Sequence, residues 1–356
     1  MRNLETRALG KSSVNVTAIG LGTVPLAGFG VGVDYAQFES TLLSAYQQGI
    51  RYFDCAPMYG LGKVEHFLGH FLRTHGIRSN VVVSTKVGRL LKPVSRATKG
   101  DVIFGIDWID ALPFAEEFDY SYDGIMRSFE DSQQRLGLDF IDVILVHDIG
   151  RLAHGEKNAI YWKQLTSGGL RALDELRRSG CTKAIGIGVN ETAAVLEMAD
   201  EFDLDCCLLA GRYTLLNHEP LTHFFPECIR RKISVIGAGV FNSGILGAGT
   251  RAVIRSYDYQ AAPDDILSRV RSLEEVCAKH NVALPQAAVQ FVYSHPAVSS
   301  LALGAKNVGE VTQNIAALSA PIPASFWDEL KERRLIPEEV PLLPSRNAAS
   351  EVARTT

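Results

Sequence analysis

Short β-branched runs alternate with longer amphipathic segments along the whole chain, and this alternation restricts the fold more than any single residue does. Repeated βα units place their strands parallel, with the helices as crossovers. Eight runs read as strands, at residues 18–21, 52–54, 81–86, 141–147, 184–189, 206–210, 234–238 and 300–303. Eight parallel strands close on themselves, so the pattern predicts a single α/β domain built as a (β/α)8 TIM barrel, for which 356 residues is an ample length. Helices are expected at 35–48, 63–72, 122–136, 170–179, 192–202, 221–231, 264–279 and 308–318. Gly49 and Gly180 stand where helix C-termini favour glycine, and Asn190 is placed to cap the fifth helix.

Three pieces fall outside the repeat. Residues 4–16 carry Gly10-Lys11-Ser12-Ser13 between apolar residues and predict an N-terminal β-hairpin closing the barrel bottom. A long loop after the third strand, residues 88–121, contains Trp108, Leu112, Pro113, Phe114 and Phe118. Its length points to function, while Trp108 and Phe114 fit either substrate contact or loop packing. A C-terminal helical extension is expected at 326–334. The barrel domain is thus read as residues 1–340, with a polar, flexible tail at 341–356.

Composition excludes several roles. The chain has 36 basic and 40 acidic side chains, without the basic field of a general nucleic-acid binder. It shows neither a signal-type start nor a membrane-spanning apolar run, so it reads as a cytoplasmic protein with no membrane partner. The six cysteines lack metal-type spacing, and Cys206-Cys207 lies in a strand, where thiols act as small core hydrophobes. The His147-Asp148 pair has no third ligand at recognisable spacing, and no metal is expected. The sequence leaves the oligomeric state open.

The chemistry is concentrated at strand ends, and in such a barrel the C-terminal strand ends converge on one face. Asp54 closes the second strand, Lys86 the third and His147 the fourth, while Tyr59 follows Asp54 in Asp54-Cys55-Ala56-Pro57-Met58-Tyr59-Gly60. A lysine finishing an apolar strand needs a carboxylate to stay charged, and Asp54 is the candidate. An ammonium beside a phenol is expected to lower its pKa, making Tyr59 a proton donor and acceptor. Singly, these residues also read as a core histidine, a loop cap, a surface charge and turn packing; together they form a catalytic set.

In this order and on these strands, Asp54, Tyr59, Lys86 and His147 resemble the catalytic tetrad of the aldo-keto reductases. The resemblance extends from Gly20-Leu21-Gly22-Thr23 to Asn314 and includes Gly137-Leu138-Asp139-Phe140-Ile141-Asp142. It implies a nicotinamide cofactor lying across the barrel mouth, with Gly22 and Thr23 beside it. Asn190 matches the asparagine that holds the carboxamide, preceded here by Val189 where serine is frequent, and Tyr213 matches the aromatic that stacks on the ring. Phe241, Asn242, Ser243, Gly244 and Leu246 match the loop over the pyrophosphate. Gly304, Lys306, Gln313 and Asn314 match the segment that holds the adenosine end. Glu310 stands where relatives that prefer NADP carry arginine, so the resemblance implies NAD in preference to NADP.

Within the family, the segments around Asp54, at Phe118-Asp119-Tyr120-Ser121-Tyr122-Asp123 and at Val146-His147-Asp148 are most similar to D-threo-aldose 1-dehydrogenases, L-fucose and L-galactose dehydrogenases and a pyridoxal 4-dehydrogenase. The implied partner is a small-molecule substrate. The first expectation is oxidation of an aldopyranose at C1 to an aldonolactone, with Trp108, Phe114 and His147 as substrate contacts. The second is oxidation of the pyridoxal hemiacetal to 4-pyridoxolactone. A general NADPH-dependent carbonyl reductase and a nicotinamide-sensing binding subunit are the remaining alternatives.

Overall fold

The protein is described from a computed structural model covering residues 4–94 and 108–342. The barrel strands are Ile19–Gly22, Tyr52–Asp54, Val82–Val87, Val143–His147, Ala184–Val189, Cys206–Ala210, Ser234–Ala238 and Val298–Gly304. They pair in parallel in chain order, and the eighth returns to the first to close the sheet. Side chains alternate across it, as the pleat requires. Cys206 and Leu208 face the barrel interior with Tyr52, Leu145 and Ile236, while Cys207 and Leu209 belong to the larger cluster between strands and helices. The adjacent cysteines are both buried and unpaired.

The N-terminal hairpin pairs Thr6–Ala8 with Asn15–Thr17, Arg7 opposite Val16. Leu9, Val14 and Val16 are buried in the interior cluster and plug the barrel from below. The hairpin turn is pinned from the seventh strand, with the Gly10 amide donating to Ser234 Oγ at 2.7 Å.

The first six and the eighth predicted helices appear at Tyr35–Gln47, Lys63–His75, Tyr122–Leu136, Leu170–Arg178, Thr192–Glu201, Phe224–Arg231 and Val308–Ser319. Asp264–His280 is present too, but a further helix, Leu284–Tyr293, lies between it and the eighth strand. That helix is buried along most of its length, with Pro285, Gln286 and Gln290 partly exposed. One expected cap is corrected. The N-cap position of Thr192–Glu201 is Glu191, and no side chain caps it. Asn190 instead lines the barrel mouth, its carbonyl accepting from Arg212 Nε.

The connection after the third strand forms an antiparallel ribbon, Arg89–Pro93 with Phe114–Phe118. Gly88 makes the turn into it at φ 97°; a Cβ there would come within 2.4 Å of the Tyr120 ring. Trp108 bridges to Phe29 beside the barrel mouth. A C-terminal helix spans Ala324–Glu332, and the expected tail lies outside the described residues from 343 onward. Among the described residues, no helix is long and apolar enough to cross a membrane.

Candidate active site

The parallel register brings the strand ends to a common height. Asp54 pairs with Ser84, Lys86 with Leu145, and His147 with Gly188. At that level a cavity of about 330 Å³ opens among Asp54, Tyr59, Lys86, His147, Trp108 and Asn190.

Lys86 is the hub. Its Nζ donates to Asp54 Oδ2 at 2.8 Å and Oδ1 at 3.0 Å, to the Cys55 carbonyl at 2.9 Å and to the Tyr59 hydroxyl oxygen at 3.0 Å. An ammonium has three N–H groups, and these three directions use all of them. Burial alone would lower the Lys86 pKa, but Asp54 and Tyr59 reverse that and raise it above the ordinary lysine range. Asp54 is itself held, because Ser84 Oγ donates to Oδ1 at 2.7 Å and Thr23 Oγ1 donates to its backbone carbonyl at 2.7 Å. Thr23 therefore acts here as a brace on the second strand.

An ammonium cannot accept a hydrogen bond, so the Tyr59 proton is directed away from Lys86 and is available to an oxygen in the cavity. The expected lowering of the Tyr59 pKa is corrected by the fold. Burial is the larger influence and raises it, Lys86 pulls the other way, and Asp54 adds to the rise. In these surroundings Tyr59 is a protonated phenol.

His147 faces Tyr59 edge-on, the ring centroids 6.3 Å apart. Burial first, then Arg89 and Lys86, push its pKa well below the usual histidine value, so the imidazole is neutral. Its backbone carbonyl accepts from the Tyr120 hydroxyl at 2.6 Å, which fixes this strand end. Nε2 lies 3.5 Å from Asp148 Oδ2 without a hydrogen bond between them, so a proton on Nε2 stays available to the cavity, while Nδ1 is buried without a partner. Tyr59 and His147 can thus both donate to one substrate oxygen.

The remaining expected residues divide. Gly22, Asn190, Phe241, Asn242, Ser243, Gly244 and Gly304 line the cavity. Leu246 is buried in the core behind the loop; Asn314 donates to the Gly304 carbonyl at 3.0 Å and shapes that turn. Lys306 is half-buried and Gln313 exposed, both off the cavity wall. Tyr213 is not at the mouth: its ring packs between Phe225, Phe291 and His295, and Ala238 lines the cavity instead. Trp108 stands 6.2 Å from the Tyr59 ring and 6.1 Å from Phe29, centroid to centroid, making an aromatic wall. Phe114 sits at the far end of the ribbon opposite Pro93 and does not reach it.

The cavity suits a nicotinamide cofactor on structural grounds. Asn242 and Ser243 adopt left-handed backbone (φ 44° and 57°) in the turn after the seventh strand, and Asn242 Oδ1 is buried without a partner. Tight turns of this kind present backbone amides to phosphate oxygens.

Sequence reasoning missed the residues that cross the mouth. A small hairpin, Ser256–Tyr257 with Gln260–Ala261, turns through Asp258 and Tyr259, both at positive φ. Arg212 holds Asp258 through both guanidinium Nη atoms, Ser243 Oγ accepts from the Tyr259 amide at 2.9 Å, and Tyr259 engages Asn190. Its turn signal, Asp-Tyr, is not one of the strong hairpin dipeptides. Asp148 also lines the cavity; its place after His147 was the available signal.

The family model described as the aldo/keto reductase family matches residues 18–334. The chain is 45% identical to a pyridoxal 4-dehydrogenase from Microbacterium luteolum over 93% of its own length and 98% of the relative's. It is 36% identical to a D-threo-aldose 1-dehydrogenase from a Pseudomonas species, again over 93% and 98%. A solved aldo-keto reductase of Bacillus halodurans, in its holo form, superposes with a TM-score of 0.74 at 21% identity, covering 95% of this chain and 98% of that one. That likeness shows the fold.

Proposed function

The chain belongs to the aldo/keto reductase family, an oxidoreductase family that uses NAD(P)H, and from that premise we propose that it oxidises a cyclic hemiacetal to a lactone, with pyridoxal as substrate and 4-pyridoxolactone as product. The observation that carries this reading is the aromatic wall of Trp108 and Phe29 beside the Tyr59 ring in the cavity. A flat pyridine ring is complementary to such a wall, whereas a pyranose needs a denser set of polar partners. The greater likeness to the pyridoxal enzyme than to the aldose enzyme supports it too, and reverses the order expected from sequence motifs.

The residues have separate tasks. Tyr59 accepts the proton of the hemiacetal hydroxyl, and Lys86, anchored by Asp54, stabilises the phenolate that receives it. His147 donates from Nε2 to the same oxygen and fixes its approach. The bound nicotinamide supplies the acceptor for the hydride that leaves the carbon. Carbon loses that hydride and oxygen loses its proton, so the C–O bond becomes the lactone carbonyl. Asn190 and the turn at residues 239–244 would hold the cofactor.

NAD⁺ is the preferred form in this reading. Glu310 Oε2 accepts from the Lys306 amide at 2.8 Å, which sets a carboxylate in the corner assigned to the adenosine ribose. A 2′-phosphate there would meet like charge.

Purified protein is tested with pyridoxal, L-fucose, L-galactose and D-arabinose, each with NAD⁺ and NADP⁺, following reduced nicotinamide and identifying the product. Pyridoxal with NAD⁺ is expected to give the highest kcat/KM. Turnover of a sugar without turnover of pyridoxal overturns the substrate assignment, and a much higher efficiency with NADP⁺ overturns the role of Glu310. The aldopyranose reading is retained second because of the 36% identical aldose dehydrogenase.

A further inference from the structure

Asp148 is a buried carboxylate that the tetrad does not use. It follows His147 directly, adopts left-handed backbone at φ 51°, and donates its amide to the Gly188 carbonyl at 2.9 Å. This turn reverses the side chain towards the cavity, which Asp148 lines while only 7% exposed.

The carboxylate is locked from behind. Arg89 Nη2 donates to Asp148 Oδ2, and Arg89 Nη1 donates to Glu116 Oε1 at 2.7 Å. The guanidinium carbon also lies 4.8 Å from the Phe118 ring centroid. Arg89 is essentially fully buried, so its position is set by these contacts. Two carboxylates flank one guanidinium. Among the described residues, Oδ2 has Arg89 and sits 3.5 Å from His147 Nε2, while Oδ1 accepts no hydrogen bond. A preset acceptor thus stands beside the point where the reacting oxygen is held.

We propose that Asp148 is a substrate-recognition residue whose Oδ1 accepts a hydrogen bond from a hydroxyl flanking the reacting carbon. The inference rests on the hemiacetal reading and narrows it. In the pyridoxal hemiacetal the phenolic oxygen is attached to the ring carbon next to the one that bears the reacting centre, and in the uncharged hydroxypyridine tautomer, the form a carboxylate such as Asp148 selects, it carries a proton to donate. In a pyranose the corresponding group is the hydroxyl at C2. Both place a donor about one hydroxyl's reach from the oxygen held by Tyr59 and His147. A substrate lacking that donor covers the carboxylate oxygen without pairing it, and sites built to bind a hydroxyl discriminate strongly against analogues without one. The same wall disfavours substrates with a carboxylate or phosphate at that position.

The test compares kcat/KM for pyridoxal and 3-deoxypyridoxal, and for L-fucose and its 2-deoxy analogue, in the wild type, Asp148→Asn and Glu116→Gln. In the wild type the hydroxylated member of the pair that turns over is expected to be favoured. Asp148→Asn keeps the shape and tolerates the left-handed backbone, but presents an amide whose oxygen faces Arg89. It is expected to reduce the wild-type preference by roughly 10- to 100-fold, the effect of losing a hydrogen bond to a charged group. Glu116→Gln removes the charge of Arg89's other carboxylate partner without touching the cavity, and the preference is expected to stay within about threefold of wild type.

NAD⁺ titration reports whether each variant retains its fold and cofactor site. An unchanged preference in Asp148→Asn overturns the recognition role while leaving the hemiacetal reading standing. An equal loss in Glu116→Gln assigns the effect to the integrity of the cluster and overturns it as well. A wild type that turns over no hemiacetal overturns both.

Discussion

At the bottom of the barrel, Leu9, Val14 and Val16 of the hairpin fill the space between the strands, whereas at the mouth Asp54, Lys86, His147 and Asp148 are buried around an open cavity. The frame is the same eight strands at both ends. Below, burial removes apolar surface from water and each large side chain contributes stability. Above, burial removes charge from water and costs stability unless every group has a partner. Lys86, with all three donors engaged, shows how that cost is offset; Tyr59, whose proton faces the cavity, shows what is left free for chemistry. The two ends thus separate holding the barrel shut from moving a proton.

That separation can be broken by experiment. Tyr59→Phe removes the proton-transfer oxygen and leaves the ring, so kcat should fall by roughly 10²- to 10⁴-fold or more with NAD⁺ binding retained. Near-wild-type turnover would remove Tyr59 from its role. Leu9→Ala, at the opposite end, should cost about 2–5 kcal/mol in urea unfolding, with kcat/KM close to wild type. A selective loss of activity there would show the ends to be coupled.

The mouth should also carry a pH dependence that the bottom lacks. Because burial raises the Tyr59 pKa, the phenolate needed for oxidation becomes more populated as pH rises. Oxidative kcat/KM at saturating cofactor should increase by up to about tenfold per pH unit below that pKa, with reduction favoured in the opposite direction. A flat profile from neutral to alkaline pH would contradict the raised pKa. The smallest effect is expected for Ser234→Ala, which removes the acceptor for the Gly10 amide and should lower stability by about 0.5–1.5 kcal/mol without altering turnover.

Much of the fold was legible because its signals are local. The alternation of strand and helix marks eight strand positions that the structure shifts by no more than two residues. The tetrad was legible for the same reason: Asp54, Lys86 and His147 each close a recognisable strand. Leu284–Tyr293 was not, since ten residues holding Pro285 and, besides Tyr293, only the polar side chains Gln286 and Gln290 do not separate by local pattern from a short apolar strand run. Tyr213 and Tyr259 fail together for a different reason. An aromatic after a strand can turn inward to a core or outward to a mouth, and Tyr213 packs on Phe225 while Tyr259 returns across the cavity from a distant hairpin.

The chain by itself determined a parallel eight-stranded barrel and an acid, a phenol, a lysine and a histidine at its strand ends, because hydrophobic period and strand length are properties of neighbouring residues. Only the tertiary structure decided how those groups act. Burial outweighs the ammonium in raising the Tyr59 pKa, burial with Arg89 and Lys86 keeps His147 neutral, and Arg89 fixes Asp148 at the cavity wall. These outcomes depend on distances between groups far apart in sequence and on the exclusion of water from between them, which no local pattern encodes.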